Sequence, residues 1–158
     1  MQPEATPDYR FSDLLALARL NWRLRMVHEM AERGYQEYRV ADAAAVRLLL
    51  RGPAPVGRLG SVLGVSRQAA RKVARGFEQR GLATTEADPD DGRKVNVRLT
   101  DEGAAYSRVV TDVIACLNRE LAGRIDPAAL VATDHVLRAT IDDRRLARAA
   151  ARIPPPRL

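Results

Sequence analysis

Apolar positions recur every three to four residues over most of the chain, and this spacing predicts a mostly helical protein. Between residues 56 and 80 the pattern predicts two helices that are separated by a tight turn. The first covers about Val56–Leu63, and the second runs from about Arg67 to Arg80. Gly64 supplies a turn residue that tolerates a positive φ, and Ser66 is a good N-cap. We also expect Val65 to fill the space between the two helices.

An alternating pattern follows and predicts a β-hairpin. Its strands are Leu82–Glu86 and Lys94–Leu99, and the acidic run 88–93, which contains Pro and Gly, forms the turn between them. Gly81 ends the preceding helix, and Thr100 caps the next one. Two helices, a turn and a charged hairpin in this order predict a winged helix-turn-helix, which is a DNA-reading unit.

The second helix of this unit is amphipathic. Its apolar face carries Ala70, Val73, Ala74 and Phe77. Its opposite face carries Arg and Gln, the side chains that bond in pairs to guanine and adenine edges in a major groove. A basic helix that is merely solvated is the alternative, but the turn, the cap and the small residues stand where a helix-turn-helix needs them. We therefore predict a DNA contact surface made of Arg58, Ser66, Arg67, Gln68, Arg71, Lys72, Arg75, Arg93 and Lys94.

Further helices flank this unit. The periodicity predicts them over Phe11–Gly34 (with Ser12 as cap), Asp42–Arg51, Asp101–Arg124, and Pro127 to about Arg152. The first and last helices carry more apolar residues than the small DNA-reading lobe can cover. In the last helix these are Leu130, Val131, Val136, Leu137, Ile141, Leu146 and Ala150. We expect a second copy of the chain to cover them.

The runs GVSRQAARKVARGFEQRGL and DPDDGRKVNVRLTDEG resemble the MarR (multiple antibiotic resistance regulator) family of bacterial transcription factors. In that family the wing often reads Asp-x-Arg-Asp-x-Arg, and a strand and Leu-Thr-x-x-Gly follow it. The matching positions here are Asp88, Asp91, Arg93, Leu99, Thr100 and Gly103. Position 90 departs from the family, since Asp90 replaces the usual arginine. The resemblance implies that Arg93 enters the minor groove and that the terminal helices interlock with those of a second copy.

These features predict a mostly α fold with a small β-hairpin wing, in which a winged helix-turn-helix lies between N- and C-terminal dimerisation helices. We predict one domain over residues 1–158. Its parts are dimerisation helices at 9–34 and 127–152, the winged helix-turn-helix at 40–100, a connecting helix at 101–124, and flexible tails at 1–8 and 153–158.

The net charge of +6 suits a polyanionic partner such as double-stranded DNA. No stretch approaches 18 apolar residues, and no N-terminal run resembles a signal peptide. We therefore expect no membrane association and a cytoplasmic location. Cys116 is the one cysteine. Its place among apolar helix positions favours a small buried hydrophobe over an oxidant sensor.

Other candidate chemistry is sparse. Residues 28–32 resemble a zinc-protease helix, but Glu32 replaces the second histidine, so His28 and Glu32 would need His135 to hold a metal. We predict no metal, no cofactor and no catalytic constellation. The family resemblance implies a cleft for a small aromatic or anionic effector. Its candidate lining residues are Trp22, Met26, Arg47 and Tyr106, although core packing is an equally simple role for Trp22.

The favoured function is a homodimeric, sequence-specific DNA-binding regulator, and in particular a repressor that a ligand releases from a pseudo-palindromic operator. We expect no enzyme activity. Two alternatives stay open: a constitutive DNA-binding protein without an effector, and an interaction module whose basic face docks an acidic protein. Saturable binding to DNA upstream of its own gene separates a regulator from a docking module.

Overall fold

The computed structural model describes residues 10–88, 91 and 94–141. The chain divides into two compact units, residues 1–40 and residues 41–158. The described part contains six helices and three short strands. In chain order they are α1 (Phe11–Glu32), α2 (Asp42–Leu49), β1 (Ala54–Pro55), α3 (Val56–Leu63), α4 (Arg67–Gln79), β2 (Ala83–Ala87), β3 (Val95–Leu99), α5 (Asp101–Ala122) and α6 (Pro127–Ala139). The predicted mostly helical fold with a small winged sheet is confirmed.

The sheet is antiparallel with strand order β1-β3-β2. Strand β1 was not predicted, because two residues that include a proline show no alternation. It pairs only with Asn96 and Val97 of β3. Val97 is fully buried, whereas Val95, two residues earlier and expected from the alternation on the same side of the strand, lies beyond this pairing and is exposed. The hairpin therefore joins the core at its base and projects into solvent towards its turn.

The helix-turn-helix is formed by α3 and α4 and follows the prediction closely. Gly64 has a φ of +68° at the turn, and Ser66 Oγ accepts a hydrogen bond of 3.2 Å from the Ala69 amide. A Cβ atom on Gly60 would lie 3.2 Å from the Cβ of Ala70, so the glycine lets the two helices approach closely. The prediction for Val65 was wrong. Its side chain is exposed, because the contact between Gly60 and Ala70 already closes the space.

The buried face of α5 differs from the predicted one. The helical spacing of apolar residues predicts a buried face of Val109, Val113, Cys116, Leu117 and Leu121. The buried residues are Gly103, Tyr106, Ser107, Val110, Val113, Ile114 and Leu117, so the prediction is confirmed for Val113 and Leu117 and was wrong for the other three. The buried face of α5 includes small and polar residues, so the spacing of hydrophobic residues does not identify it. The Ser107 hydroxyl is satisfied inside the core, since it donates to the Gly103 carbonyl at 2.7 Å. Cys116 is half-buried rather than buried, with its Sγ 3.7 Å from Glu120 Oε1.

Helix α1 begins at Phe11, as predicted, but Ser12 is not its cap. Arg10 occupies the N-cap position, and its carbonyl accepts from the amides of Asp13 and Leu14. Ser12 lies inside the first turn, where its hydroxyl faces Asp13. Met26 and Met30 are buried. The exposed large apolar side chains of α1 are Phe11, Leu14, Leu15, Leu17, Leu20, Leu24 and Val27.

Helix α6 begins as predicted, with Asp126 accepting a 2.7 Å bond from the Ala128 amide. It ends at Ala139 rather than near residue 152. Both the amide and the hydroxyl of Thr140 bond to the Leu137 carbonyl, which closes the last turn. Residues 142–152, including Leu146 and Ala150, lie outside the described residues. Helix α6 exposes Val131, Val136 and Leu137, and Ile141 beyond it is also exposed. In the described part of the chain, no helix is long and apolar enough to cross a membrane.

Candidate nucleic-acid interface

A cleft of about 330 Å³ opens between the helix-turn-helix and the turn end of the hairpin. Four cationic side chains line it: Arg58 from α3, Arg67 and Arg71 from α4, and Lys94 from the hairpin turn, directly before β3. Asp88 is the one carboxylate among the lining residues. Cations concentrated in a concave surface create a local positive potential. The cleft is therefore suited to a polyanion.

The polar face of α4 continues this charged surface into solvent. Gln68, Arg71, Lys72 and Arg75 are exposed, as predicted. The opposite face is buried through Ala70, Ala74 and Phe77. The long polar side chains of the exposed face can reach into a groove, while the buried face keeps the helix attached to the core.

Ser66 is used first as a helix cap. Its hydroxyl oxygen accepts from the Ala69 amide, which satisfies one of the free donors at the start of α4. A hydroxyl also carries a proton that it can donate. The exposed Ser66 side chain thus combines its structural role with a donor at the helix N-terminus.

Asp88 explains why an acidic turn is compatible with a cationic cleft. Its Oδ1 accepts from the Asp91 amide at 3.2 Å, and its Oδ2 accepts from the side-chain amide of Asn96 at 2.9 Å. Its own amide donates to the Lys94 carbonyl at 3.0 Å. The carboxylate thus folds the turn instead of facing outward. Arg93, the predicted minor-groove residue, lies outside the described residues, so its role stays a prediction.

The one acid between residues 56 and 80, Glu78, is turned towards the sheet. Thr85 Oγ1 donates to Glu78 Oε1 at 2.5 Å, which ties α4 to β2. Across the hairpin, Arg98 pairs with Glu86 at 2.9 Å on the exposed side. The Thr85–Glu78 bond fixes the hairpin against α4 and keeps the Glu78 carboxylate away from the cationic face, whereas the Arg98–Glu86 pair joins the two strands of the hairpin.

A buried ionic cluster in the core was missed from the sequence. It consists of Asp42, Arg80 and Tyr106, which we call the Asp42 cluster. Arg80 grips both carboxylate oxygens of Asp42, at 2.8 and 3.1 Å, and the Tyr106 hydroxyl donates to the same carboxylate at 2.6 Å. Asp42 and Tyr106 are each 1% exposed. The one available signal was an acid, Asp42, at helical spacing from the buried Val46 and Leu49.

The pKa values of this cluster follow from its burial. Burial raises the pKa of the Tyr106 phenol far above its ordinary value, and the hydrogen bond and charge of Asp42 raise it further. Burial alone would lower the pKa of Arg80, but hydrogen bonding to Asp42 and its negative charge outweigh that effect and raise it. Arg80 therefore stays charged and Tyr106 stays protonated.

The predicted Leu-Thr-x-x-Gly segment ties the start of α5 to the end of α4. Thr100 Oγ1 donates to the Gly81 carbonyl at 2.7 Å and accepts from the Gly103 amide at 3.0 Å. The Thr100 amide donates to the Leu82 carbonyl at 3.2 Å. A Cβ atom on Gly103 would lie only 1.8 Å from that carbonyl oxygen. Only glycine fits at position 103 without a shift of the backbone.

The predicted effector residues fall in both compact units. Trp22, half-buried, and Met26, buried, belong to residues 1–40, whereas Arg47 and Tyr106 belong to residues 41–158. Tyr106 lies in the core, and its hydroxyl is engaged by Asp42. The pocket as a whole stays a prediction. Among residues 10–88, 91 and 94–141, no three His, Cys, Asp or Glu side chains come together as a metal site.

A family model and curated proteins both match parts of this chain. The MarR family model matches residues 39–94, from just before α2 to the second strand of the hairpin. The chain is 37% identical over 79 residues to an uncharacterized protein of Mycobacterium tuberculosis, a match covering 50% of this chain and 55% of that protein. The chain thus spans about half the length of the curated relatives it matches.

Solved structures share the fold over nearly the whole chain. The PcaV transcriptional regulator from Streptomyces coelicolor, solved in complex with its natural ligand, is similar with a TM-score of 0.71 and 22% identity, over 94% of this chain and 99% of that one. The transcriptional repressor CouR, solved bound to a 23-mer DNA duplex, gives a TM-score of 0.67 and 23% identity, over 81% and 92%. Residues 39–94, which contain the helix-turn-helix, match the MarR family model, and the chain shares the winged-helix fold of these solved structures.

Proposed function

We propose that this chain is a sequence-specific regulator that binds double-stranded DNA as a homodimer and represses transcription. The observation that carries the proposal is the convergence of four cations from α3, α4 and the hairpin on one cleft, next to the exposed polar face of α4. The similarity in fold to CouR, a repressor solved on a DNA duplex, supports it. Such a protein acts where the chromosome is, in the cytoplasm.

The side chains of this surface divide into two roles. Gln68, Arg71 and Lys72 lie on the first turns of α4, the end of a recognition helix that usually meets base edges. Arg58 comes from the supporting helix, where a cation meets the phosphate backbone, and Arg75 lies one turn further along α4. Arg67 and Lys94 line the cleft and suit phosphate contacts, as does Ser66 at the N-terminus of α4. Arg93 is assigned to the minor groove.

This division predicts opposite consequences for two arginines of the same cleft. Removal of a base-reading side chain costs about 1–3 kcal/mol and relaxes sequence preference, whereas removal of a phosphate contact weakens all sequences alike. We expect Arg71→Ala to lose discrimination between operator and scrambled duplex. We expect Arg58→Ala to keep that ratio, to lose affinity for both duplexes, and to show a salt dependence shallower by roughly one unit per contact. Binding curves on both duplexes at two salt concentrations measure both effects.

The matched control is Arg108→Ala, which removes an exposed arginine of α5 that does not line the cleft. It should change neither the affinity nor the ratio. If Arg71→Ala kept the full specificity ratio, the assigned face of α4 would be wrong, and Arg67 and Arg75 would be the next base-reading candidates.

We propose that the homodimer forms through the terminal helices. Helix α1 exposes seven large apolar side chains, and Val131, Val136 and Leu137 of α6 are exposed with them. Surface of this kind marks an interface. A two-fold dimer also doubles the short site that one helix-turn-helix reads.

The dimer can be tested with one exposed leucine. Leu24 is 61% exposed on α1, so Leu24→Glu should leave each chain folded and yet disfavour the dimer. Sedimentation at micromolar concentration should give twice the chain mass of 17.4 kDa for the unmodified protein, and a shift towards single chains for the variant. Leu50→Glu, the same change at an exposed leucine beyond the end of α2, should remain dimeric. An unmodified protein found only as single chains would contradict the proposal.

We further propose that a small aromatic or anionic effector releases the protein from DNA. The support is the fold shared with PcaV, which was solved with its natural ligand. Trp22, Met26 and Arg47 are the candidate contacts, offering an aromatic surface, a soft apolar group and a cation.

A further inference from the structure

The recognition helix α4 is attached to its neighbours mainly through small side chains. Ala70 and Ala74 are buried on its inner face, and Ala70 meets Gly60 of α3. Phe77 is the one large side chain buried on this face. Small, smooth surfaces pack closely but interlock little, so packing alone defines the rotation of such a helix weakly.

Directional contacts are concentrated at the C-terminal end of α4. Arg80, its C-cap residue, donates through Nε to the Gly76 carbonyl of α4 at 3.0 Å, and through both Nη atoms to Asp42 at the start of α2. Its guanidinium carbon also lies 4.9 Å from the Phe77 ring centroid and 5.7 Å from that of Tyr106 in α5. One side chain therefore links the end of α4 to both α2 and α5.

A buried ion pair adds little net stability but strongly constrains the geometry of the groups that it joins. Removing two charges from water costs so much free energy that a buried ion pair often stabilises the fold no more than apolar residues of the same volume would. Two parallel hydrogen bonds between a guanidinium and a carboxylate nevertheless fix distance and angle together. The cluster is thus better suited to setting the orientation of α4 than to adding net stability.

We propose that the Asp42 cluster positions the recognition helix, fixing the rotation of α4 relative to α2 and α5 and thereby setting which base edges Gln68 and Arg71 reach. The inference rests on the DNA-reading function proposed above. Functional side chains need support to within about 0.5 Å to act together, and Asp42 and Tyr106 provide that support to the end of α4 from outside the helix-turn-helix. Asp42, Arg80 and Tyr106 are positioning residues, because none of them lines the cleft.

The test replaces the whole cluster by apolar residues of similar size, in the variant Asp42→Leu/Arg80→Met/Tyr106→Phe. Three quantities are compared with the unmodified protein. The first is the midpoint of thermal unfolding, and the second is the set of residual dipolar couplings of α4 amides relative to those of α2 and α5 in the free protein. The third is a ratio of two Kd values. It compares scrambled duplex with the duplex that the unmodified protein enriches from a random library. We expect an unchanged or higher midpoint, altered couplings confined to α4, and a ratio lowered about tenfold or more.

Ser107→Ala is the matched control, since it removes a buried hydroxyl of α5 whose bond stays within that helix. It should change neither the couplings nor the ratio. If the couplings of α4 in the triple variant match those of the unmodified protein, the inference is overturned, whatever the ratio of Kd values. It is also overturned if the couplings change but the ratio of Kd values does not. If the triple variant does not fold, Arg80→Lys decides by the same two criteria, because lysine keeps the charge and loses the two-pronged grip. If the unmodified protein enriches no sequence, the proposed function fails, and the couplings alone decide the positioning role.

Discussion

Gly103→Ala is expected to lower the free energy of unfolding by about 3 kcal/mol or more, at the upper end of what overpacking costs. The new Cβ atom would stand 1.8 Å from the Leu82 carbonyl oxygen, far inside van der Waals contact. That carbonyl cannot simply turn away, because it accepts the Thr100 amide at 3.2 Å. Relief requires the start of α5 to separate from the turn that ends α4. Urea unfolding followed by circular dichroism measures the loss.

Gly123→Ala is the matched control at the other end of the same helix. A Cβ atom there meets its nearest neighbour, the Arg119 carbonyl oxygen, at 3.4 Å, and the φ of −71° suits alanine. The change should be neutral or stabilising by about 0.4–1 kcal/mol, because alanine reduces the freedom of the unfolded chain. Equal effects of the two substitutions would show that α5 does not pack on Leu82 as described.

Asp42→Ala is expected to cost about 3–5 kcal/mol, the range for breaking one partner of a buried ion pair. Arg80 would be left charged with its side chain only 9% exposed, and the Tyr106 hydroxyl would lose its acceptor. Arginine cannot escape the penalty by losing its proton, since its pKa stays far above any pH at which the protein is folded. The unfolding free energy from urea titration is the measurement.

The hairpin offers a control ion pair of nearly the same length. Glu86 and Arg98 lie 2.9 Å apart, against 2.8 Å for Asp42 and Arg80, but both are more than half exposed. Glu86→Ala should cost less than about 1 kcal/mol, because solvent screens exposed pairs. A similar small loss for both alanine variants would mean that Asp42 is not held in the core as described.

Local signals in the sequence predicted the parts of the fold that depend on neighbouring residues. The turn at Gly64, the cap at Ser66 and the bounds of α3 were all correct, because each depends on backbone demands within a few residues. The strand Ala54–Pro55 was missed, since it exists only through its pairing with Asn96 and Val97. Its pairing partners are more than forty residues away, so no local pattern could reveal it.

The Asp42 cluster shows the same limit in the core. Its members are separated by 38 and 64 positions, and each looks ordinary in its own segment: an acid at a helix start, an arginine at a helix end, and a tyrosine on a helix face. Polar residues in a buried stripe break the hydrophobic pattern that identifies cores. For the same reason the predicted buried face of α5 was partly wrong, since Gly103 and Ser107 occupy buried positions.

The candidate DNA surface was predictable because its residues come from one contiguous segment. Arg58, Arg67, Arg71 and Lys94 were chosen for charge and helix face, and the structure brings them to one cleft. The sequence did not predict how the acidic turn is accommodated, although Asp88 resolves that by bonding to Asp91 and Asn96. The effector residues come from distant segments and from both compact units, which is where reasoning from patterns is weakest.

Selection from a random duplex library measures whether the protein reads DNA sequence as a two-fold dimer. The unmodified protein is incubated with the library at physiological salt, bound duplexes are sequenced, and the winning duplex is titrated to obtain stoichiometry and Kd. We expect an inverted repeat with half-site centres about ten base pairs or a multiple apart, two chains per duplex, and binding at least about a thousandfold tighter than to scrambled DNA. A library that emerges without an enriched sequence, or equal affinity for winning and scrambled duplexes, would contradict the proposed function.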